Sequence, residues 1–528
     1  MMEQESRQLL AIDDDSDPGS PQGPSSRTAS TSPRPPAQRQ SSLAQSRPDG
    51  TPRTPNRVRF IEEPTTADMN GHAEPEWIEL DESPEHHVED HDGVQRLPLL
   101  TGIEAPSVTM AGELFDPAEH LEGARPTSGM RSAFMNMANS IIGAGIIGQP
   151  YAFRQAGLLT GLFLLVALTI IVNWTIRLIV INSKLSGANS FQATVEHCFG
   201  KSGLIAISLA QFLFAYGGMI AFCIIVGDTI PHVLSAAFPS LADNATFQLL
   251  TGRRWCIVIL IMGVSYPLSL YRDIAKLAKA SMLALISMII IIITVATQSF
   301  RVTSELRGSL RGGIFIHSGI FQAIGVISFA FVCHHNSLLI YGSLRKPTLD
   351  RFATVTHYST GISMVACIVM ALAGYLAFGD KTQGNILNNF PTDNTMVNIA
   401  RLCFGLNMLT TLPLEAFVCR EVLTNYYHRD EEFDPTRHIF WTTVLVFTAM
   451  LLSLITCDLG VVFELVGATS ACALAYILPP LCYMKLSSRS WKTYAAGGVA
   501  AFGCVVLGIS LVLAAKKMWM ADGGTSTC

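Results

Sequence analysis

The sequence predicts an all-α polytopic membrane protein of about eleven transmembrane helices, preceded by a long polar tail. Three observations carry that prediction. Of 528 residues, 49% are hydrophobic and only 15% are charged, well below the quarter or so usual in soluble domains. Apolar runs of about 20 residues, the length that spans a bilayer, recur from Met130 onward with short polar loops between them. The net charge of −5 is carried unevenly, because clusters such as Asp13-Asp14-Asp15 and Glu89-Asp90 lie in the first 125 residues. A nucleic-acid partner has no basic domain to bind.

Residues 1–125 are rich in Ser, Pro, Asp, Glu and Arg and cannot bury enough apolar surface to offset chain entropy. They are expected to form a disordered cytosolic tail, and residues 126–520 the membrane domain. Within the tail, Glu5, Leu9 and Leu10 have the spacing of an acidic dileucine sorting signal, which would recruit a sorting adaptor. Ser20, Ser32, Thr51, Thr54 and Ser83 each precede Pro and are candidate phosphorylation sites. No basic-then-apolar signal peptide opens the chain, so the first membrane helix is expected to direct insertion.

The first apolar stretch, Ser132–Gly157, is a poor helix. Asn136, Asn139 and Ser140 interrupt it, then Gly143, Gly145 and Gly148, then Pro150. Each interior Gly costs about 1 kcal/mol relative to Ala, and Pro removes a backbone donor. Hydrocarbon tolerates an opened backbone only where protein or an aqueous cavity satisfies it. Asn139–Gly145 is therefore expected to be a break of the kind that binds substrate in transporters; close packing through small residues is the competing explanation. The remaining spans are expected at about 157–182, 203–234, 254–272, 280–299, 313–341, 354–378, 396–423, 438–457, 459–484 and 494–515. Lys and Arg are commoner in alternate loops, among them Lys184, Lys201, Lys276, Arg345, Lys346, Arg420 and Lys485, which places the N-terminus in the cytosol. The acceptor Asn244-Ala245-Thr246 then falls on the opposite, lumenal side, as does the C-terminus. Of the twelve cysteines, Cys223, Cys256, Cys333, Cys367, Cys472, Cys482 and Cys504 lie inside apolar runs and read as small buried hydrophobes; no spacing supports a zinc site or a disulfide framework.

Eleven spans divide into two groups of five plus one. The sixth, equivalent to the first, is also irregular, with Ser328-Phe329-Ala330-Phe331-Val332-Cys333-His334-His335-Asn336 at its centre. Paired irregular helices at matching positions of two halves point to a transport site.

Three motifs resemble the amino acid/auxin permease family, which includes fungal vacuolar amino acid transporters and sodium-coupled neutral amino acid transporters. Asn139-Ser140-Ile141-Ile142-Gly143-Ala144-Gly145-Ile146 resembles its N-x-x-x-G-x-G-I opening. Ser328-Phe329-Ala330-Phe331-Val332-Cys333-His334 resembles its S-F-A-F-V-C-H segment, and Thr410-Thr411-Leu412-Pro413, with Arg420 beyond, its T-x-P segment. His335-Asn336-Ser337 looks closer to the fungal vacuolar branch. The resemblance implies a five-plus-five inverted-repeat (LeuT-like) fold and secondary transport, with no cofactor beyond a coupling ion, H+ or Na+.

In such a site a substrate carboxylate suits the N–H groups at Gly143, Ala144 and Gly145, and the ammonium suits freed carbonyls near Ser140 and Ser328. Phe329 and Phe331 are candidates to wall the substrate side chain. Asn139 and Thr411 match the positions that hold sodium in the family. Glu415 leads the candidate proton carriers, ahead of Asp228, His334 and Glu464, because ionisable groups inside membranes are costly and usually functional; an ion pair with Arg420 is the structural alternative for it. No buried cation offers itself to an acidic substrate, which favours neutral amino acids, and the vacuolar membrane is the expected location. A membrane-embedded amino acid sensor and a plasma-membrane sodium symporter are the alternatives. An enzyme would need a catalytic partner for His334-His335, and none is evident.

Overall fold

A computed structural model describes residues 129–241, 251–271, 280–310, 317–428, 431, 433–456 and 458–520. The tail, with Glu5, Leu9 and Leu10, and the acceptor Asn244 lie outside the described residues. Eleven successive helical spans follow one another. The first, α1, has two halves, Met130–Ile142 (α1a) and Gln149–Ala156 (α1b), joined by a 3-10 turn, Ala144–Gly148. Then come α2 (Leu158–Ser186), α3 (Phe191–Ala237), α4 (Arg253–Leu260 and Tyr266–Ser269 about a π turn) and α5 (Ala280–Gln298). The sixth is also divided, into Ile320–Phe331 (α6a) and Ser337–Ser343 (α6b). It is followed by α7 (Leu349–Phe378), α8 (Thr395–Tyr427) and α9 (Pro435–Ile455). The last two are α10 (Leu459–Val466 to Leu478–Leu486, through two π turns) and α11 (Trp491–Met520).

Among the described residues, nine of these spans, the divided α6 included, are long and apolar enough to cross a bilayer; α1 and α4 are not among them. The expected break is present, displaced toward the C-terminal end of Asn139–Gly145. The third span is longer than expected because Phe191–Phe199 adds a helical arm to it. Gly200 turns the chain between arm and span at φ 63°, a left-handed value that glycine adopts without a Cβ penalty. The very short turn between α9 and α10 is held by Asp458, whose carboxylate accepts from the N–H groups of Gly460 and Val461, an N-cap.

Four pairs of helices five apart in the order pack together, α1 with α6, α2 with α7, α3 with α8 and α4 with α9, alongside α1 with α7, α5 with α8 and α6 with α10. Pairing at an offset of five is what two structurally equivalent halves, related by a two-fold axis in the membrane, produce. The eleventh helix leans on α10 at the edge. Cys504, on that helix, is exposed rather than buried, whereas eight of the other described cysteines are buried.

Arg420 corrects the charge tally. It lies buried inside α8, not in a loop, and donates to the Ser269 carbonyl (3.2 Å) and to Thr442 Oγ1 (2.7 Å). It therefore ties α8 to α4 and α9 and says nothing about orientation. Arg401, also inside α8 and almost fully buried, donates to the carbonyls of Leu387, Phe390 and Pro391. A guanidinium offers five donors in a fixed fork, and here it closes the short helical turn Ile386–Asn389 against the helix.

Pro413 in the middle of α8 leaves the carbonyl of Leu409 without its i+4 donor. Ser265, presented by the π turn of α4, donates its hydroxyl to that carbonyl at 2.9 Å. Ser265→Ala is expected to destabilise the protein by about 1–3 kcal/mol, the cost of an orphaned buried acceptor. Thermal unfolding of the purified protein in detergent checks this, and an unchanged midpoint would refute it.

Candidate functional site

The two broken helices meet at their breaks. In α1, the last intact turn ends at Ile142, so the carbonyls of Asn139–Ile142 lie beyond the reach of regular i→i+4 bonding. Ile146 donates back to the Gly143 carbonyl at 3.3 Å. The N–H groups of Ala144 and Gly145, ahead of it, open the second half of the helix with no backbone partner among the described residues. Gln149, buried, turns its amide back to cap the Gly145 carbonyl at 3.1 Å. In α6, Val332 makes the last helical bond, to the Ser328 carbonyl, so the carbonyls of Phe329, Ala330 and Phe331 point past the end of α6a. Asn336 bridges the two breaks, its amide 3.5 Å from Ser140 Oγ, at the outer limit of a hydrogen bond.

Gly145 has a packing reason. A Cβ there would lie 2.5 Å from both Cα and Cβ of Ala330, so its hydrogen is what lets α1 touch α6. Gly143 differs. A Cβ there would meet only its own helix, with Asn139 O the nearest atom at 3.6 Å, and Gly143, Asn139 and Ser140 are half-buried where their neighbours are buried. The open side of the α1 break is therefore at Gly143, with Ala144 and Gly145 behind it.

Of the residues expected on α6, Ser328 is fully buried and shares a hydrogen bond with the Tyr476 hydroxyl of α10 at 3.0 Å. Phe331 is fully buried as well. Phe329 stacks on Phe463 of α10 (centroids 4.6 Å apart) and leans on Phe214 of α3 (5.5 Å). These three rings form an aromatic wall joining α3, α6 and α10. His334 is fully buried and bonded to Thr175 Oγ1 of α2 at 2.9 Å, which holds the α6 break to the second helix. His335 packs against Phe214, with ring centroids 5.5 Å apart.

Among the candidate ion-coupling residues, Asn139 has no side-chain hydrogen bond among the described residues. Thr411 donates to the Asn407 carbonyl of its own helix at 2.7 Å and lies 3.2 Å from Asn407 Oδ1, which leaves its lone pairs free. No hydrogen bond joins Asn139 to Thr411; α1a and α8 both rest on α5. Glu415 packs against the bare backbone of α3, where a Cβ on Gly218 would be 3.7 Å from its carboxyl carbon. Its Oε2 is buried with no hydrogen-bond partner among the described residues. Arg420, the expected counter-ion in the structural alternative, is engaged with Ser269 and Thr442, so that pairing is not made. Asp228, by contrast, is paired: Arg253 Nε lies 3.2 Å from Oδ1 and Asn388 donates to Oδ2 at 3.1 Å. It joins α3, α4 and the loop before α8 rather than reaching water. Glu464 is half-buried on α10, and its carbonyl lies 2.5 Å from where a Cβ on Gly325 of α6 would be.

A family model described as transmembrane amino acid transporter protein matches residues 126–519. The chain belongs to this family. The transporter is 46% identical over 408 residues to vacuolar amino acid transporter 2 of Saccharomyces cerevisiae, with 75% of this chain and 84% of the yeast protein covered. It is 39% identical over 401 residues to a Danio rerio protein named "Putative sodium-coupled neutral amino acid transporter 11", with 75% and 89% covered. A crystal structure of MhsT in complex with L-phenylalanine superposes with a TM-score of 0.47 at 14% identity, over 72% of this chain and 98% of that one.

Tyr476, Thr175, Ser265 and Arg401 were not singled out in the sequence. For Ser265 a signal existed: Pro413 implies an orphaned carbonyl four residues earlier, and Ser265 and Ser269 are polar residues one turn apart in an apolar span. For Tyr476 and Thr175 no local signal distinguishes them from the other Tyr and Thr residues of the membrane domain.

Proposed function

We propose that the protein carries neutral amino acids across the vacuolar membrane by alternating access, coupled to protons, with its N-terminus cytosolic and its C-terminus lumenal. The observation that supports it best is the meeting of opposed half-helix ends at the two breaks. The free N–H groups of Ala144 and Gly145 form a positive helix end suited to a carboxylate. The carbonyls ending α1a, and those of Phe329–Phe331, form a negative end suited to an ammonium. A zwitterion placed between them satisfies both. Gly143 gives its carboxylate room, Ser140 and Asn336 lie beside it, and Phe329 bounds the space for its side chain. Ser328 and Phe331 support this wall from behind. Neither Arg401 nor Arg420 is free to bind an anionic side chain, which fits neutral substrates.

Glu415 is the proposed proton carrier. An unpaired carboxylate in a membrane interior is costly when charged, and binding a proton removes that charge; movement of α3 against α8 would expose the group to one side and then the other. The vacuolar assignment follows the yeast relative. A sodium-coupled reading is kept because Asn139 and Thr411 each retain an oxygen able to ligate a hard cation, and because the zebrafish relative is named as sodium-coupled.

Uptake of a radiolabelled neutral amino acid into proteoliposomes, under an imposed proton or sodium gradient, tests this. Proton-driven accumulation indifferent to sodium is the expected result. Sodium-driven accumulation, abolished by Asn139→Ala, would move the coupling site to α1 and α8. Binding without flux under either gradient would overturn transport in favour of a sensor.

A further inference from the structure

α2 and α7 run antiparallel. Arg154, just before α2, donates to the Thr382 carbonyl just past the end of α7 at 2.8 Å. Deeper in the membrane, Asn173 on α2 donates to Thr360 Oγ1 on α7 at 2.8 Å. One turn further along α2 comes Arg177, and one turn back along α7 comes His357. The antiparallel register fixed by the Asn173–Thr360 bond places the two on neighbouring turns of the facing helices. The Nε of Arg177 donates to the Asn173 carbonyl of its own helix at 3.3 Å. Its two terminal amino groups have no partner, and neither Arg177 nor His357 is paired with an acidic side chain, among the described residues.

Next to this basic pair the surface of α7 carries a groove of about 450 Å³, lined by His357, Tyr358, Gly361, Ile362, Val365 and Ala366. Beyond the first two residues the lining is wholly apolar. Tyr358, Ile362 and Val365 are each at least half exposed, so the groove opens outward to the lipid. Gly361 makes the notch, since a Cβ there would meet nothing within 4 Å. The groove runs over residues 357–366, roughly 13 Å from first to last at 1.5 Å per residue, a length matched to the upper part of one acyl chain. Its basic end faces the membrane boundary into which Ser186 and Leu349 emerge. α2 and α7, of 29 and 30 residues, are longer than the ~20 residues that cross the hydrocarbon, so Arg177 and His357 lie within snorkelling distance of the headgroups.

A guanidinium without a counter-ion at this depth is expensive, and a phosphodiester matches its planar fork in charge and geometry. We propose that this groove on α7, with Arg177 of α2 beside its basic end, is a binding site for one anionic phospholipid, its phosphate held by Arg177 and His357 and an acyl chain laid along Gly361–Ala366. In the orientation proposed above this is the cytosolic leaflet, where anionic lipids concentrate. Only the name of the leaflet rests on that orientation.

The test uses the purified full-length protein in nanodiscs of phosphatidylcholine with or without phosphatidylserine, read by native mass spectrometry and by thermal unfolding. Wild type is expected to retain one phosphatidylserine on ejection from the disc, and its unfolding midpoint to rise with the anionic lipid. Arg177→Gln should reduce retention at least tenfold, and Arg177→Lys should restore part of it. Gly361→Phe, which fills the notch and leaves both basic groups, should also lose the lipid and keeps the test decisive if Arg177→Gln does not fold. Equal retention of phosphatidylcholine and phosphatidylserine would mean annular lipid only and would overturn the site. So would a sterol retained in its place, or a dimer that Gly361→Phe dissociates. Lipid retention is read without transport, so its failure and a failure of the transport reading are told apart.

Discussion

Glu415→Gln is expected to abolish accumulation of substrate driven by a proton gradient, by at least tenfold, while leaving the protein folded. The two side chains have nearly the same shape, so the contact with Gly218 of α3 is kept. What changes is that the group can no longer gain and lose a proton. Because Glu415 Oε2 has no partner among the described residues, the substitution breaks no hydrogen bond there, and it removes an uncompensated buried charge. The thermal unfolding midpoint is therefore expected to stay level or rise. That combination separates a coupling role from a structural one, since a structural carboxylate would take stability down with activity. Flux into proteoliposomes with and without a pH gradient, alongside a thermal melt, provides both readouts. Proton-driven accumulation that survives in Glu415→Gln would remove Glu415 from the relay.

The second large effect is at the contact between the two breaks. Gly145→Ala is expected to eliminate flux and to lower the unfolding midpoint together. Its methyl group would overlap Ala330 at Cα and Cβ, with the Ala330 nitrogen at 3.0 Å. That is backbone and a Cβ, neither of which can rotate aside, so α1 and α6 must separate. Overpacking of this kind costs about 1–3 kcal/mol or more, and it also separates the paired helix ends. Gly143→Ala, two residues earlier, is the contrasting control. Its methyl group would make only ordinary contacts with its own helix, Asn139 O at 3.6 Å being the nearest, so the melt should be unchanged within about 0.5 kcal/mol, the range of substitutions that disturb no packing. The KM for substrate should rise as the methyl group intrudes on the proposed carboxylate position. If the two variants behaved alike, Gly143 and Gly145 would share one structural role and the proposed site would be displaced.

Much of this architecture was legible because its signals are local. Spans announce themselves by apolar length. The breaks at Gly143 and Val332 were visible because Asn, Ser, Gly and His are expensive in the middle of a membrane helix, and their recurrence five spans apart gave the pairing of halves. The roles of individual glycines were not legible. Gly145 and Gly143 look equivalent in the chain, yet a Cβ would overlap Ala330 at one and make only ordinary contacts with its own helix at the other, a difference fixed by a helix almost two hundred residues away. Charged residues showed the same limit. Arg420 read as a loop charge or as a partner for Glu415, and it is neither, because its acceptors Ser269 and Thr442 come from other helices. Ser328 carries a recognisable motif position, but its hydroxyl is committed to Tyr476, which the sequence did not link to it. Sequence shows which residues are costly, whereas tertiary packing decides what relieves the cost.

The offset-of-five packing also bears on how the protein is made. α1 leaves the ribosome with Asn136, Asn139 and an opened backbone, and the α6 surface that closes over its break is encoded near residue 330. At about 5–20 residues per second, synthesis of that partner takes on the order of tens of seconds. During that interval the first helix sits in the membrane as an incomplete element, so its retention depends on the insertion machinery or on α2 and α5. Substitutions at the α1–α6 contact should therefore reduce the amount of protein that reaches its membrane, through disposal of nascent chains, before any defect in a mature molecule could be measured.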